Sequence, residues 1–251
     1  MKTNRIIARL DINNDFVVKG KFLEGLRKVG KPNELALKYY EQGIDEIVFL
    51  DAVASLYDRN SLLNILSEAC KEIFIPITIG GGIKSISDIE NLLATGADKV
   101  AINSSIFSDK KLITEAVKRF GSQAIVGSLV CREHRYSWEA FKDNAKHRTN
   151  INAIEWARVL EDLGVGEIMV TSIHKDGLLK GFDLDLMKSI SDVIKIPIIA
   201  SGGAGSIDHI ASVIDESKSD AVAIGSLLHY KLESVQQIKQ NLSKKNIKVR
   251  L

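Results

Sequence analysis

Short apolar runs rich in β-branched residues recur along the chain, separated by segments whose apolar positions follow a helical period. The runs are "RIIARLDI" (5–12), "EIVFLDA" (46–52), "IPITIGGG" (75–82), "KVAINSS" (99–105), "AIVGSLVC" (124–131), "EIMVTSI" (167–173), "IPIIASGG" (196–203) and "AVAIGSL" (221–227). Intervening segments such as "NELALKYYEQG" and "INAIEWARVLEDLG" close on Gly, which readily takes the left-handed conformation that ends a helix. Eight alternations of strand and helix within 251 residues predict an α/β chain folded as a (β/α)₈ TIM barrel.

The pattern also repeats internally. "IPITIGGGIKSISDI" (75–89) matches "IPIIASGGAGSIDHI" (196–210), and "ADKVAINSS" (97–105) matches "SDAVAIGSL" (219–227). "LALKYYEQGIDEIVFLDA" resembles "IEWARVLEDLGVGEIMVTSI". Two half-barrels in tandem, about 1–121 and 122–251, are therefore expected to close one domain, 1–251, with equivalent positions facing each other across a two-fold axis. Neither half alone, with four strands and open edges, would make a stable sheet.

Composition narrows the function. With 45% hydrophobic and 26% charged residues the chain is globular, and a net charge of +2 gives no argument for nucleic acid or anionic lipid. The basic tail "SKKNIKVR" reads as a solvated helix end. No apolar run approaches the ~20 residues that span a bilayer, and the start lacks a signal-peptide core, so a cytoplasmic protein is expected. Cys70 and Cys131 have neither metal spacing nor a disulfide framework, and no metal or cofactor is expected.

In a barrel of this kind the chemistry sits at the C-terminal ends of the strands. There the chain places Asp11, Asp51, the glycines 80–82, Asn103 with Ser104, Ser172, Asp176 with Gly177, "SGGAG" (201–205) and Gly225 with Ser226. Glycine-rich turns expose consecutive backbone N–H groups, and a helix starting after them adds its positive end, so phosphate finds donors and field together. Two such turns at repeat-related positions predict an elongated ligand with a phosphate at each end. The repeat aligns Asp11 with Val130 in "GSLVC": two acids there could serve as an acid/base pair, and valine breaks that pair.

At the opposite ends of the strands, Arg5, Glu46, Lys99 and Glu167 can pair as a ring that serves either stability or gating. Two long loops, 13–32 with Lys19 and 132–150, are expected to cover the mouth. His134 and His147, in the second, lack a metal-like spacing with other ligands and read as solvated.

"RIIARLDI", "VVKG", "DEIVFLD", "GGGI", "GADKVAIN", "FGSQ", "GEIMVTSI", "DG", "IIASGGAG" and the closing "VRL" together resemble the cyclase subunit of imidazole glycerol phosphate synthase, the HisF family, over essentially the whole chain. The resemblance implies a separate glutaminase subunit (HisH-like) docked on the bottom of the barrel. Its ammonia would pass a charged gate and the barrel interior to a bisphosphorylated formimino ribulosyl ribonucleotide, which is cleaved and cyclised. Carried over by position, the gate falls on Arg5, Glu46, Lys99 and Glu167, and the docking face includes Asp98 and Gln123. One phosphate falls on Gly82, Asn103 and Ser104, the other on Asp176, Gly177, Gly203, Gly225 and Ser226. Lys19 stands where the family has the lysine of a mobile first loop. Of the two catalytic aspartates Asp11 is matched and the second falls on Val130, while His174 stands where an acid is common. The stretches "VGSLVCRE", "LEDLGVGEI" and "GGAGSI" are closer to a divergent branch associated with ammonia supply for surface-sugar amidation by a third protein, a sugar amidotransferase. That divergence is the expectation, with a working cyclase of histidine biosynthesis as the alternative.

Overall fold

A computed structural model describes residues 3–52 and 60–251. The first strand, β1 (Arg5–Asn13), runs into a hairpin of β2 (Phe16–Lys21) and β3 (Glu24–Gly30) before α1 (Pro32–Glu41). Then follow β4 (Glu46–Asp51), α2 (Asn60–Glu72), β5 (Ile77–Gly80), α3 (Ile86–Thr95), β6 (Lys99–Ile102), α4 (Ser104–Ser108) and α5 (Lys111–Phe120). The sequence of elements now begins again. Strand β7 (Ile125–His134) runs into its own hairpin, β8 (Ser137–Lys142) and β9 (His147–Asn152), before α6 (Ala153–Asp162). The chain ends with β10 (Glu167–Ser172), α7 (Leu184–Ser191), β11 (Ile198–Ser201), α8 (Ile207–Ser217), β12 (Ala221–Ile224), α9 (Ser226–His229) and α10 (Val235–Lys244).

Eight strands pair in parallel in the order β1, β4, β5, β6, β7, β10, β11, β12, and β12 returns to β1 with Arg5 opposite Ala221, so the barrel is closed. Closure satisfies both ladders of every barrel strand and leaves no barrel edge for another chain to extend. The two segments expected as covering loops are instead antiparallel hairpins: β2 continues the sheet from β1, and β8 continues it from β7. Their alternation was obscured by charged and glycine residues, which a hairpin standing above the barrel can expose.

Alternate residues of the barrel strands point inward. Above the charged foot, Ile7, Val48, Ala101, Val126, Met169, Ile199, Ala221 and Ala223 form a separate apolar layer inside the barrel. The larger core lies between barrel and helices, where residues such as Leu66, Ile89, Ile113, Trp156, Leu186 and Ile238 pack their helical faces onto the strands' outer faces. Each fully buried aliphatic side chain of this kind contributes about 1.5–3 kcal/mol.

Three aspartates just before a strand tie the foot of the barrel together. Asp45 accepts from the Ile6 amide at 2.7 Å, Asp98 from Ile77 at 2.8 Å and Asp220 from Ile198 at 2.7 Å. The basic tail is largely exposed, as expected of a solvated helix end, and is tied down by its backbone: the Asn4 amide donates to Lys248 O, and Val249 forms a parallel bridge with Asn4. Among the described residues, no helix is long and apolar enough to cross a membrane.

Candidate functional site

The four charges at the foot meet. Arg5 Nη1 lies 2.7 Å from Glu46 Oε1 and 2.8 Å from Glu167 Oε1, while Lys99 Nζ lies 3.2 Å from each acid's second oxygen. Cations and anions therefore alternate around the opening, and each acid is shared by both bases. Burial by itself would lower the pKa of Arg5, but Glu167 and Glu46 outweigh it and hold the guanidinium above its ordinary range. Asp98 and Gln123 are exposed at the same end, as is Phe74 in the turn before β5, an apolar side chain the sequence reading did not single out.

At the mouth, the side chain that organises the site is Arg9, which the sequence reading also missed. It is buried inside the barrel. Its Nε donates to Asp11 Oδ1 at 2.8 Å, and its Nη1 donates to Thr171 Oγ1 at 3.0 Å and Ser201 Oγ at 2.9 Å. The second Asp11 oxygen accepts from Lys19 Nζ at 3.1 Å, and Lys19 also reaches both Asp176 oxygens at 2.9 Å. Burial alone would raise the Asp11 pKa, but Arg9 and Lys19 outweigh it and hold the carboxyl well below the usual carboxylate range. Asp11 is thus fixed as an anion, able to accept a proton only once these cations are displaced. Lys19 is not a free loop residue: it is buried beneath a closed hairpin, whose Phe22 amide donates to Asp176 O at 2.9 Å.

Val130 is 8% exposed and joins Leu23, Phe141 and Ile173 in an apolar cluster. Leu23 belongs to the two-residue turn between Lys21 and Glu24, where Phe22 and Leu23 both have positive φ, 58° and 63°. Turns of this geometry favour Asn-Gly because bulky L-residues are strained in it. Burial of Leu23 against Val130 and Phe141 offsets that strain, so the valine acts as the seat on which the first hairpin closes. The apolar side chain at position 130 and the closure of the hairpin are one packing feature.

The predicted anion positions fall in two cavities. A cavity of about 410 Å³ is lined by Gly82, Asn103 and Ser104, together with Lys84, Lys142, Val130 and Arg9. Asp176, Gly177, Gly203, Gly225 and Ser226 line another with Lys19, Ser201 and Arg9, whose volume is about 10 Å³. The helices that follow the glycine turns are not the donors expected there: α3 and α8 are capped by Ser85 and Ser206, which accept from the Asp88 and His209 amides. The helices that open on the cavities are the short α4 and α9, which start at Ser104 and Ser226 and have no side-chain cap at Asn103 or Gly225. Their first amides are the orphan donors that suit an anion. Ser226 Oγ is buried without a hydrogen-bond partner. Gly177 and Gly203 also have a packing role: both have positive φ, and a Cβ would run into Gly20 O at the first and Gly181 O at the second.

Beneath the mouth, His229 is buried between Tyr39 Oη, 2.8 Å from Nδ1, and Arg9 O, 3.0 Å from Nε2. A carbonyl can only accept, so Nε2 carries the proton and Nδ1 accepts from tyrosine. Burial, reinforced by Lys19, lowers the His229 pKa to about 4. The folded state thus resists a proton that the unfolded chain accepts from about pH 6.5 downward. The stability His229 contributes is complete above pH 6.5 and is lost as pH falls through 4. Urea titrations across that window should lose roughly 3 kcal/mol less in His229→Gln than in the parent chain; equal losses would show that the ring is not kept neutral.

His174 is partly exposed and lies 3.8 Å from Glu133, outside the Arg9 and Asp11 cluster. His134 and His147 are exposed. Among the described residues no group of three or more His, Cys, Asp or Glu could hold a metal ion, and Cys70 and Cys131 are free thiols.

The histidine biosynthesis protein family matches residues 5–233. A Dehalococcoides mccartyi protein (strain BAV1) named imidazole glycerol phosphate synthase subunit HisF is 42% identical over 251 residues, covering 100% of this chain and 99% of that relative. A Legionella pneumophila protein of the same name is 49% identical over 209 residues, 83% of this chain and 99% of that relative. With the closed barrel, the ring of charges at its foot and Asp11 at its mouth, these likenesses establish that the chain belongs to the HisF family of imidazole glycerol phosphate synthase cyclase subunits.

Proposed function

We propose that the chain is the ammonia-accepting subunit of a two-component glutamine amidotransferase. A glutaminase subunit docks at the foot around Asp98 and Gln123 and releases ammonia at the ring of Arg5, Glu46, Lys99 and Glu167. Neutral ammonia can cross the apolar layer from Ile7 to Ala223, whereas ammonium would have to shed its hydration there at prohibitive cost. A phosphorylated ligand waits at the mouth.

Two fates of that ammonia are consistent with this frame. The relatives' name supports ring closure to imidazole glycerol phosphate, as in histidine biosynthesis. The pairing at the mouth favours delivery without efficient ring closure, and this is the reading we adopt: Val130 cannot move a proton, and Asp11 is held ionised by Arg9 and Lys19. Amidation of a surface sugar by a third protein is the acceptor reaction that "VGSLVCRE" and its companion motifs suggest.

The test mixes the full chain with its cognate glutaminase, glutamine and the formimino ribulosyl substrate. Glutamine hydrolysis should rise on mixing and fall back in Asp98→Asn, which keeps an oxygen for the Ile77 amide, while ring closure should run ~10²- to 10⁴-fold below that of a family cyclase with both acids. Ring closure at the full family rate would overturn delivery and establish the cyclase reading.

A further inference from the structure

Three connections reach the foot of the barrel side by side. Phe74 precedes β5, Asp98 precedes β6 and Gln123 precedes β7, and these three strands are consecutive in the sheet. The first two connections are bonded together. The Ile77 amide donates to Asp98 Oδ2 at 2.8 Å, the Asp98 amide donates to Ile77 O at 2.9 Å, and Cys70 Sγ, at the end of α2, donates to Gly96 O at 3.5 Å. They form one arc of surface beside the ring, since Lys99 directly follows Asp98.

Within that arc Phe74 stands out. Its neighbour Ile73 is buried in the core, as is Ile77, whereas the phenylalanine side chain is 77% exposed. The connection that carries it is held at both ends: the Ile73 amide donates to Ala69 O at 3.0 Å, and Pro76 O accepts from the Ile47 amide at 3.0 Å. Proline also fixes its own φ, so the backbone has little freedom to turn the phenyl group inward. A short aromatic side chain on a fixed backbone loses little freedom when a partner captures it. An aromatic group ringed by polar ones is the make-up of an interface centre, and the carboxylate of Asp98 and the amide of Gln123 stand exposed on the same arc.

We propose that Phe74 is the apolar anchor of the glutaminase face: it enters an apolar pocket on the partner, with Asp98 and Gln123 on the polar rim beside it. The inference deepens the reading that a glutaminase docks at the foot, and it rests on that reading. Phe74 would supply affinity and partner choice together, because a glutaminase without such a pocket either clashes with the ring or leaves it in water.

Calorimetric titration of the full chain with its cognate HisH-like glutaminase tests this. In Phe74→Ala the dissociation constant should rise about tenfold or more. Phe74→Leu, which keeps an apolar group of similar bulk, should stay within about threefold of the parent chain. Urea midpoints should not fall in either variant, since the side chain is already exposed. A parent chain that binds no glutaminase would overturn the docking reading itself. With the parent binding, an affinity in Phe74→Ala within about twofold of it would overturn the anchor alone. So would a fall in the urea midpoint large enough to account for the lost binding, which would assign the ring to the fold. Sedimentation of the chain alone supplies the last arm: self-association that Phe74→Ala abolishes would make a second copy the occupant and overturn the glutaminase assignment.

Discussion

Replacing Val130 with aspartate is expected to destabilise the folded chain by about 2–4 kcal/mol and to leave ring closure unrestored. The new carboxylate would replace the apolar contacts with Leu23, Phe141 and Ile173, and Arg9, which lines the same cavity, is already committed to Asp11. The substitution would remove the apolar seat of a turn whose Phe22 and Leu23 are both held at positive φ, so the first hairpin should lift before the barrel unfolds. Urea midpoints measure the first effect. Faster amide exchange confined to residues 20–25 measures the second. The chemistry stays blocked because the opposite acid is still bound by Arg9 and Lys19. A family acid/base pair would thus need Arg9 changed as well, and Arg9→Ser with Val130→Asp should outperform Val130→Asp alone in ring closure. A single Val130→Asp variant that kept its stability and closed the ring at the full family rate would show that neither the latch nor the Arg9 clamp governs the mouth.

Glu46→Met should cost about 2–4 kcal/mol, because it leaves Arg5 and Lys99 facing each other with only Glu167 to divide between them. The magnitude is moderated by the water that reaches Arg5, whose side chain is 25% exposed. The informative comparison is with the double variant Glu46→Met, Lys99→Met. It retains the Arg5–Glu167 pair and restores the charge balance, so it should be more stable than the single variant despite carrying one more substitution. Stability that fell further in the double variant would mean the four charges act as separate pairs and not as one ring. With a glutaminase bound, the single variant should also lose ammonia to solvent, seen as glutamine hydrolysed without transfer to the acceptor.

The eight barrel strands could be read from the chain because each is a short apolar run bounded by turn residues, and closure followed from their number and the repeat. The two hairpins were harder to see. "FVVKGK" and "EGLRKVG" alternate poorly, since their register is set by pairing with β1 and by the burial of Leu23, which no local pattern reports. At the foot, charged residues at strand starts stand out against an apolar barrel, and all four came together as a ring. Arg9 had a signal that was passed over: β1 points Arg5, Ile7, Arg9 and Asp11 to the same side, so an arginine two residues before an inward acid must also lie inside. The reach of that arginine to Thr171 and Ser201, and the burial of Lys19, depend on strands distant in sequence and could not be read from either stretch alone.

The aspartates before β4, β6 and β12 change how the foot of the barrel can be probed. Asp98 belongs to the proposed docking face, yet its carboxylate also holds the Ile77 amide of the neighbouring strand. Truncation to alanine there alters recognition and strand alignment in one step, and a lost partner could be blamed on either. Asparagine keeps an oxygen for the amide and discards only the charge, so the pair Asp98→Asn and Asp98→Ala separates what a neighbouring subunit senses from what the sheet needs. Asp220, the same tie on the repeat-related strand, offers the internal control.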